Sequence, residues 1–269
     1  MNITLFSIIA ILLYLAAGIS VGRQILLPED NSRAKLPFMA VGGLALLFHA
    51  LVLYHTIVTG NGLNLGFYHA LSLMGWMVAL LVIVMGFGRP TENLSLVFLP
   101  AAAICLLLEL LLPGERLLVD SAVIGLDIHI LLSITAYSLL AMASVQAIVL
   151  AIQERQLHNK HPLRVMRMFP PLQTMEELLV QLLAIGFFLL SLSLATGLMF
   201  VHDIFGQHLS HKIFWAVLAW FIFGLLLLGR WARGWRGKIL IGWTLGGFTF
   251  LVLSYFGSKL VLELILHRV

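Results

Sequence analysis

The side chains best suited to chemistry in this 269-residue chain are its ten histidines. Neutral imidazole ligates haem iron and borderline transition metals, and it carries a proton near neutrality. His49 stands out by position, because it lies near the middle of a long apolar run. A polar group there is expensive and tends to face a cavity or a partner. Carboxylates are few: Asp127 two residues before His129, Asp203 directly after His202, and Glu109 toward the end of another apolar run. Residues two apart on a helix do not face each other, so Asp127 and His129 need not pair. One cysteine, Cys105, excludes an internal disulfide, a CxxC redox pair and paired thiolate ligation, and it reads as an inert buried thiol. No hydrolase triad, Walker loop, dinucleotide fingerprint or HExxH motif is present.

The elements that must position these residues are membrane helices. Of the residues, 61% are hydrophobic and 10% charged, against about a quarter charged in a soluble domain. So few charges cannot cover a water-facing surface. Apolar stretches predict about eight spans, roughly 3–22, 38–58, 68–88, 95–112, 122–152, 177–200, 212–229 and 239–264. The expected fold class is all-α, a polytopic membrane bundle forming a single integral membrane domain over 1–269, with no loop long enough for a second domain. The fifth stretch is too long for one crossing, and its polar end, Gln153-Glu-Arg-Gln, is expected to project into water. Pro170 and Pro171 break the following loop, and Thr174 with Glu177 reads as a capping box opening helix six. Gly242 and Gly246 read as a close-packing GxxxG in helix eight. The first run lacks a basic leader and a small-residue cleavage site, which favours a retained helix over a signal peptide.

Loop charges set the orientation. One set of alternate connections holds twelve Lys and Arg, from Arg23 to Lys238; the other, with the C-terminal end, holds four: Arg116, Lys212, Lys259 and Arg268. The basic set faces the cytoplasm, so both termini are expected outside. The basic residues form no single surface, which argues against nucleic-acid binding. This orientation sends seven histidines toward the outer face: His55, His69, His129, His202, His208, His211 and His267. His158 and His161 fall in the basic cytoplasmic loop, and His49 lies near the middle of helix two. Ordinary roles compete with ligation: His55 and His69 as turn-flanking interfacial residues, His208 and His211 as solvated loop residues, and His49 as a hydrogen-bonded core residue. Lys259 and Glu263, four apart, are expected to satisfy each other.

Several segments carry a family resemblance. They are Asp127-Ile-His129 followed by Leu-Leu-Ser-Ile-Thr-Ala-Tyr137, Pro170-Pro-Leu-Gln-Thr-Met-Glu-Glu, and Gly197-Leu-Met-Phe-Val-His202-Asp-Ile-Phe-Gly. To these add Trp215-Ala-Val-Leu-Ala-Trp220, the turn Gly234-Trp-Arg-Gly-Lys238, Ser254-Tyr-Phe-Gly257 and the early Phe48-His49-Ala50. Together they resemble the CcsA/HemX-like cytochrome c assembly superfamily, in its small bacterial inner-membrane, YpjD-like branch, with the CcsA-like core at about 120–260. The resemblance implies haem as cofactor or cargo, with histidines of the outer face ligating iron and His129 matching the first of them. It departs in the tryptophan-rich WGxxWxWD loop: here the stretch is Phe205-Gly-Gln-His-Leu-Ser-His-Lys. Gly229-Arg230 stands where core members carry a histidine, and the large soluble partner domain is absent. A complete haem-attachment synthase is therefore not expected, and no catalytic activity of the chain's own is assigned.

The leading expectation is a haem-binding or haem-handling inner-membrane protein. His129 would ligate iron with His202 or His49, and Tyr137, Trp215 and Trp76 would cover the porphyrin faces. Membrane lipid, haem and other cytochrome-assembly or haem-biosynthesis proteins are the expected partners. Two alternatives stand beside it. One is divalent metal-ion transport or tolerance through the outer histidines, with Glu109 or Asp127 along the path. The other is a regulator or scaffold whose Arg230-Trp-Ala-Arg-Gly-Trp-Arg-Gly-Lys segment docks a haem-biosynthesis enzyme.

Overall fold

The computed structural model describes residues 2–26, 35–59, 62–86, 92–112, 117–118, 124–158, 170–200 and 210–254. Eight helices dominate: α1 Ile3–Leu26, α2 Lys35–Ile57, α3 Phe67–Gly86, α4 Glu92–Leu111, α5 Ile124–His158, α6 Leu172–Phe200, α7 Ser210–Arg233 and α8 Lys238–Val252. Seven of them are long and apolar enough to cross a membrane. The described part of α8 is apolar but spans 15 residues, about 22 Å at 1.5 Å per residue, short of the ~30 Å hydrocarbon core. Seven spans, rather than eight, are therefore established among the described residues.

The all-α expectation holds, with one small addition. Three short strands, β1 Val58–Thr59, β2 Gly62–Asn64 and β3 Leu117–Leu118, pair antiparallel in the order β1-β2-β3. Val58 faces Leu63, and Leu63 faces Leu118. The connection 60–64 reads as an uncharged outward loop in the sequence; its residues 62–64 pair instead with Val58–Thr59, and the α4–α5 connection adds the third strand. Runs of two or three residues are too short to display the period-2 alternation that marks a strand.

Two compact units divide the chain, residues 1–120 with 167–169, and 121–166 with 170–269. In the first, α1 packs on α2 and α4, and α3 packs on α2 and α4. Its core alternates large and small side chains, with Tyr14, Phe38 and Leu99 filling space beside Ala17, Ala45 and Ala102. Small residues let apolar helices approach closely where lipid offers no hydrophobic drive to associate. Pro100 sits inside α4, where it removes a backbone donor. Its ring packs at Gly18 of α1, where an added Cβ would sit 3.4 Å from the Pro100 Cγ.

In the second unit, α5 packs along α6 and also meets α8, while α7 lies against α6 and α8. Helix α5 runs for 35 residues, about 52 Å, so the polar continuation of the fifth stretch stays helical to His158. Two sequence expectations change here. Helix α6 begins at Leu172, directly after Pro171, whose carbonyl accepts the Met175 N–H at 3.2 Å. Thr174 therefore lies inside the helix and is not its cap; the helix opens three residues earlier than a Thr174 cap would place it, directly after the proline pair. The GxxxG glycines meet no neighbour among the described residues either: a Cβ on Gly242 or Gly246 would have none of them within 4 Å, whereas one on Gly247 would come within 2.9 Å of the Phe223 ring. The residue facing α7 is thus one position beyond the motif.

The turn between α7 and α8 is tightly built. Gly234 and Gly237 have φ of 67° and 54°, a region that residues with a Cβ rarely adopt. The Gly234 N–H donates to the Arg230 carbonyl, and the Trp235 N–H donates to the Gly229 carbonyl. Arg230 pairs with Glu176 of α6 at 2.6 Å and donates to the Trp235 carbonyl at 3.0 Å.

Candidate functional site

His129 lies one turn into α5 and is half-buried. Its Nδ1 donates to the backbone carbonyl of Ser193 on α6 at 2.9 Å, with the Thr196 hydroxyl 3.3 Å away. A donating Nδ1 fixes the neutral ring as the tautomer whose lone pair is on Nε2. Side chains on both helices brace the ring. The Ser133 hydroxyl donates to the His129 carbonyl at 2.7 Å, so the 2.7 Å contact between Ser133 and Ser193 has the Ser193 hydroxyl as donor. Gly197 leaves the space the imidazole occupies, since a Cβ there would approach the His129 Cε1 to 2.9 Å. The arrangement presents a single unprotonated imidazole nitrogen from a fixed ring, as an iron or metal ligand requires.

Tyr137 and Trp215, both expected as aromatic walls, belong to the same unit as His129. Tyr137 lies eight residues further along α5, and its hydroxyl donates to Ser254 Oγ at 3.4 Å. Trp215 stacks on Phe250 of α8 at 5.5 Å with the rings 9° apart, and it meets the edge of Phe214. A second stack joins Phe187 of α6 to Trp220 of α7, whose Nε1 donates to Ser191 Oγ at 2.7 Å.

His49 and Trp76 belong to the other unit. His49 is fully buried, and both of its ring nitrogens are engaged: Nδ1 with the Tyr14 hydroxyl at 3.1 Å, and Nε2 with the Ser72 hydroxyl at 2.9 Å. Coordination of a metal by His49 would have to break one of these bonds. The Trp76 Nε1 donates to the Leu46 carbonyl at 3.0 Å, which ties α3 to α2. His69 is not an interfacial turn residue but a buried member of α3, with Nδ1 2.8 Å from Glu109 Oε1 on α4. His55 is exposed and packs edge-on to Tyr54.

His202, His208, His267, Lys259, Glu263 and the side chains of Asp127 and His211 lie outside the described residues. Among the described residues, no three His, Cys, Asp or Glu side chains converge as a metal site. The segment expected to dock an enzyme is partly committed elsewhere, because Arg230 is an internal strut on Glu176 and Arg236 also reaches that carboxylate at 3.5 Å.

Sequence reasoning found His129 but not its partners. Ser193, Thr196 and Gly197 are small or weakly polar residues in an apolar helix. Their one signal is spacing: 193, 196 and 197 share one face of α6. Tyr14 and Ser72 were missed beside His49 for the same reason, since nothing local to α1 or α3 indicates which helix each will face.

The chain belongs to the cytochrome C assembly protein family, whose profile matches residues 39–266. It is 34% identical over 225 residues to the inner membrane protein YpjD of Escherichia coli, covering 82% of this chain and 85% of that protein. An Azospirillum brasilense protein, described as an uncharacterized 28.8 kDa protein in the nifR3-like 5' region, is 33% identical over 145 residues, or 53% of this chain and 54% of its own length. The cytochrome c biogenesis protein CcsA of Gloeobacter violaceus is 29% identical over 93 residues, covering 34% of this chain and 28% of that protein.

Proposed function

We propose that this chain is a multi-pass inner-membrane haem-handling protein of the cytochrome c assembly family, in which His129 would hold the haem iron. The observation that carries the reading is the bond from His129 Nδ1 to the Ser193 carbonyl at 2.9 Å, which leaves Nε2 as the lone-pair nitrogen. Haem, when bound, would supply an iron that such a nitrogen can hold. Gly197 admits the ring, and Ser133 and Ser193 hold α5 and α6 together beside it. Tyr137 and Trp215 are the aromatic residues of this unit proposed to border the macrocycle.

His202, two residues beyond the end of α6 at Phe200, is the proposed second ligand. It is preferred to His49, whose two nitrogens already have partners. Family membership and the likeness to an inner membrane protein support the location. The charge bias of the connections supports an orientation with both termini outside. Apocytochrome-assembly or haem-biosynthesis proteins are the proposed partners.

The test is the absorption spectrum of protein purified in detergent with haem supplied. A Soret band is expected, with His129→Ala weakening it far more than His158→Ala. Equal loss in the two variants, or no band in the parent protein, overturns the assignment.

A further inference from the structure

The first unit holds a polar cluster that the haem reading does not use. Six side chains from four helices take part: Tyr14 from α1, His49 and Thr56 from α2, His69 and Ser72 from α3, and Glu109 from α4. Tyr14, His49 and Ser72 are fully buried, while Glu109 and His69 keep 4% and 6% exposure. Glu109 Oε1 accepts from the Thr56 hydroxyl and from His69 Nδ1, each at 2.8 Å. The second oxygen of Glu109, Oε2, is buried and has no hydrogen-bond partner among the described residues; Ser72, three residues beyond His69 on α3, is the member of the cluster proposed to serve it.

We propose that this cluster is a proton-binding site, with Glu109 as the group that gains and loses the proton and Ser72, His49 and Tyr14 as a relay that reorganises with it. Every member except the carboxylate both donates and accepts, as a proton-passing chain requires. Directions follow from the carboxylate. When Glu109 is ionised, Ser72 donates to it, so His49 Nε2–H donates to Ser72, and Tyr14 O–H donates to His49 Nδ1. A proton arriving at the Tyr14 oxygen is passed on one bond at a time: Tyr14 gives its hydroxyl proton to His49 Nδ1, His49 gives its Nε2 proton to the Ser72 oxygen, and Ser72 gives its hydroxyl proton to Glu109. Each group ends neutral, with the Ser72 hydroxyl facing the freed Nε2 and the imidazole proton on Nδ1, facing Tyr14. No bond other than O–H and N–H forms or breaks, and no oxidant is needed.

Position favours this role over simple packing. Thr56 and His49 are seven residues apart on one face of α2, about 10 Å along the helix, so the cluster leads inward from the α2–α3 hairpin. Ionisable groups held at membrane depth are rare and typically mark ion or proton pathways. The titratable groups around Glu109 are His69, bonded to it directly, then His49 and Tyr14 further along the cluster, and Cys105 one turn back on α4, whose thiol lies at Gly75 of α3. Arg23 lies at the opposite end of α1, and His55 is exposed.

The test is infrared difference spectroscopy of the full chain in lipid nanodiscs across a pH titration. Subtracting the Glu109→Gln spectrum should leave one carboxylic-acid carbonyl band that grows on acidification. Tyr14→Phe, which removes the far donor and keeps the ring, should shift that band. Should Glu109→Gln fail to fold, the wild type against Tyr14→Phe reads the same band. Absence of a pH-dependent carboxylic band from the difference spectrum, or a band unmoved by Tyr14→Phe, overturns the proposal and leaves a structural cluster.

Discussion

The imidazole of His129 and the backbone carbonyl of Ser193 meet at 2.9 Å across the α5–α6 interface, and this bond decides which ring nitrogen is available. A backbone acceptor cannot rotate away as a side chain can, so the ring is held by the helix itself. Two glycine-scale facts about α6 follow: the ring needs the gap at Gly197, and it needs the Ser193 carbonyl turned toward α5.

Gly197→Ala should therefore weaken haem binding with every ligand residue intact. Its Cβ would come within 2.9 Å of the His129 Cε1, so the ring must tilt. Haem titration followed at the Soret band should show affinity reduced by about tenfold, or ~1.4 kcal/mol. Ser193→Ala, which keeps the carbonyl, should have a much smaller effect.

Replacement of His49 should affect stability rather than the haem band. His49→Phe leaves the Tyr14 and Ser72 hydroxyls without their buried partner, a loss of about 1–3 kcal/mol per stranded group. Thermal unfolding in detergent should fall while the Soret intensity is retained. A Soret band lost together with His49 would instead make it a ligand.

The fold itself was legible from hydropathy wherever a feature is long. The starts of α1, α3 and α4 lie within three residues of the expected spans because an apolar run bounded by polar residues needs no tertiary information. The hairpin at Val58–Asn64 was not legible, since its strands are too short to carry a pattern. The GxxxG of α8 misled because spacing alone does not say which face meets a neighbour; Gly247 does so here. At the site, His129 was visible through chemistry and family resemblance. Its acceptor was invisible, because every residue has a backbone carbonyl and only the packed helices select one.

Those glycines give a stability comparison. Gly247→Ala should destabilise by about 1–3 kcal/mol through overpacking against Phe223. Gly242→Ala and Gly246→Ala should be neutral or mildly stabilising, because alanine favours the helix. Detergent-denaturation midpoints of the three variants would separate them.

The Arg230–Glu176 pair should behave as a buried ion pair. Its side chains are 14% and 9% exposed, so Arg230→Gln or Glu176→Gln alone should destabilise by about 3–5 kcal/mol. The double variant should lose less than the sum of the singles. Arg236→Gln, on a side chain 66% exposed, should change little. A double-mutant cycle on unfolding midpoints checks all of these.

Orientation is testable by cysteine labelling in a Cys105→Ala background. A cysteine at Asn2 should react with an impermeant thiol reagent on intact cells whose outer membrane has been opened. One at His158, exposed at the end of α5, should react only after the inner membrane is permeabilised. The reverse pattern would invert the charge-based topology.

Helix α5 is longer than any bilayer requires, so lipid thickness alone cannot set how deep it sits. Its vertical register against α6 is pinned by two glutamine amides: Gln146 Nε2 on the Met175 carbonyl and Gln153 Nε2 on the Pro170 carbonyl, each at 3.0 Å. The height of His129, some seventeen residues up the same rigid rod, is thereby referenced to neutral anchors near the far end of the helix. A thinner or thicker membrane would leave the alignment of the imidazole with α6 unchanged.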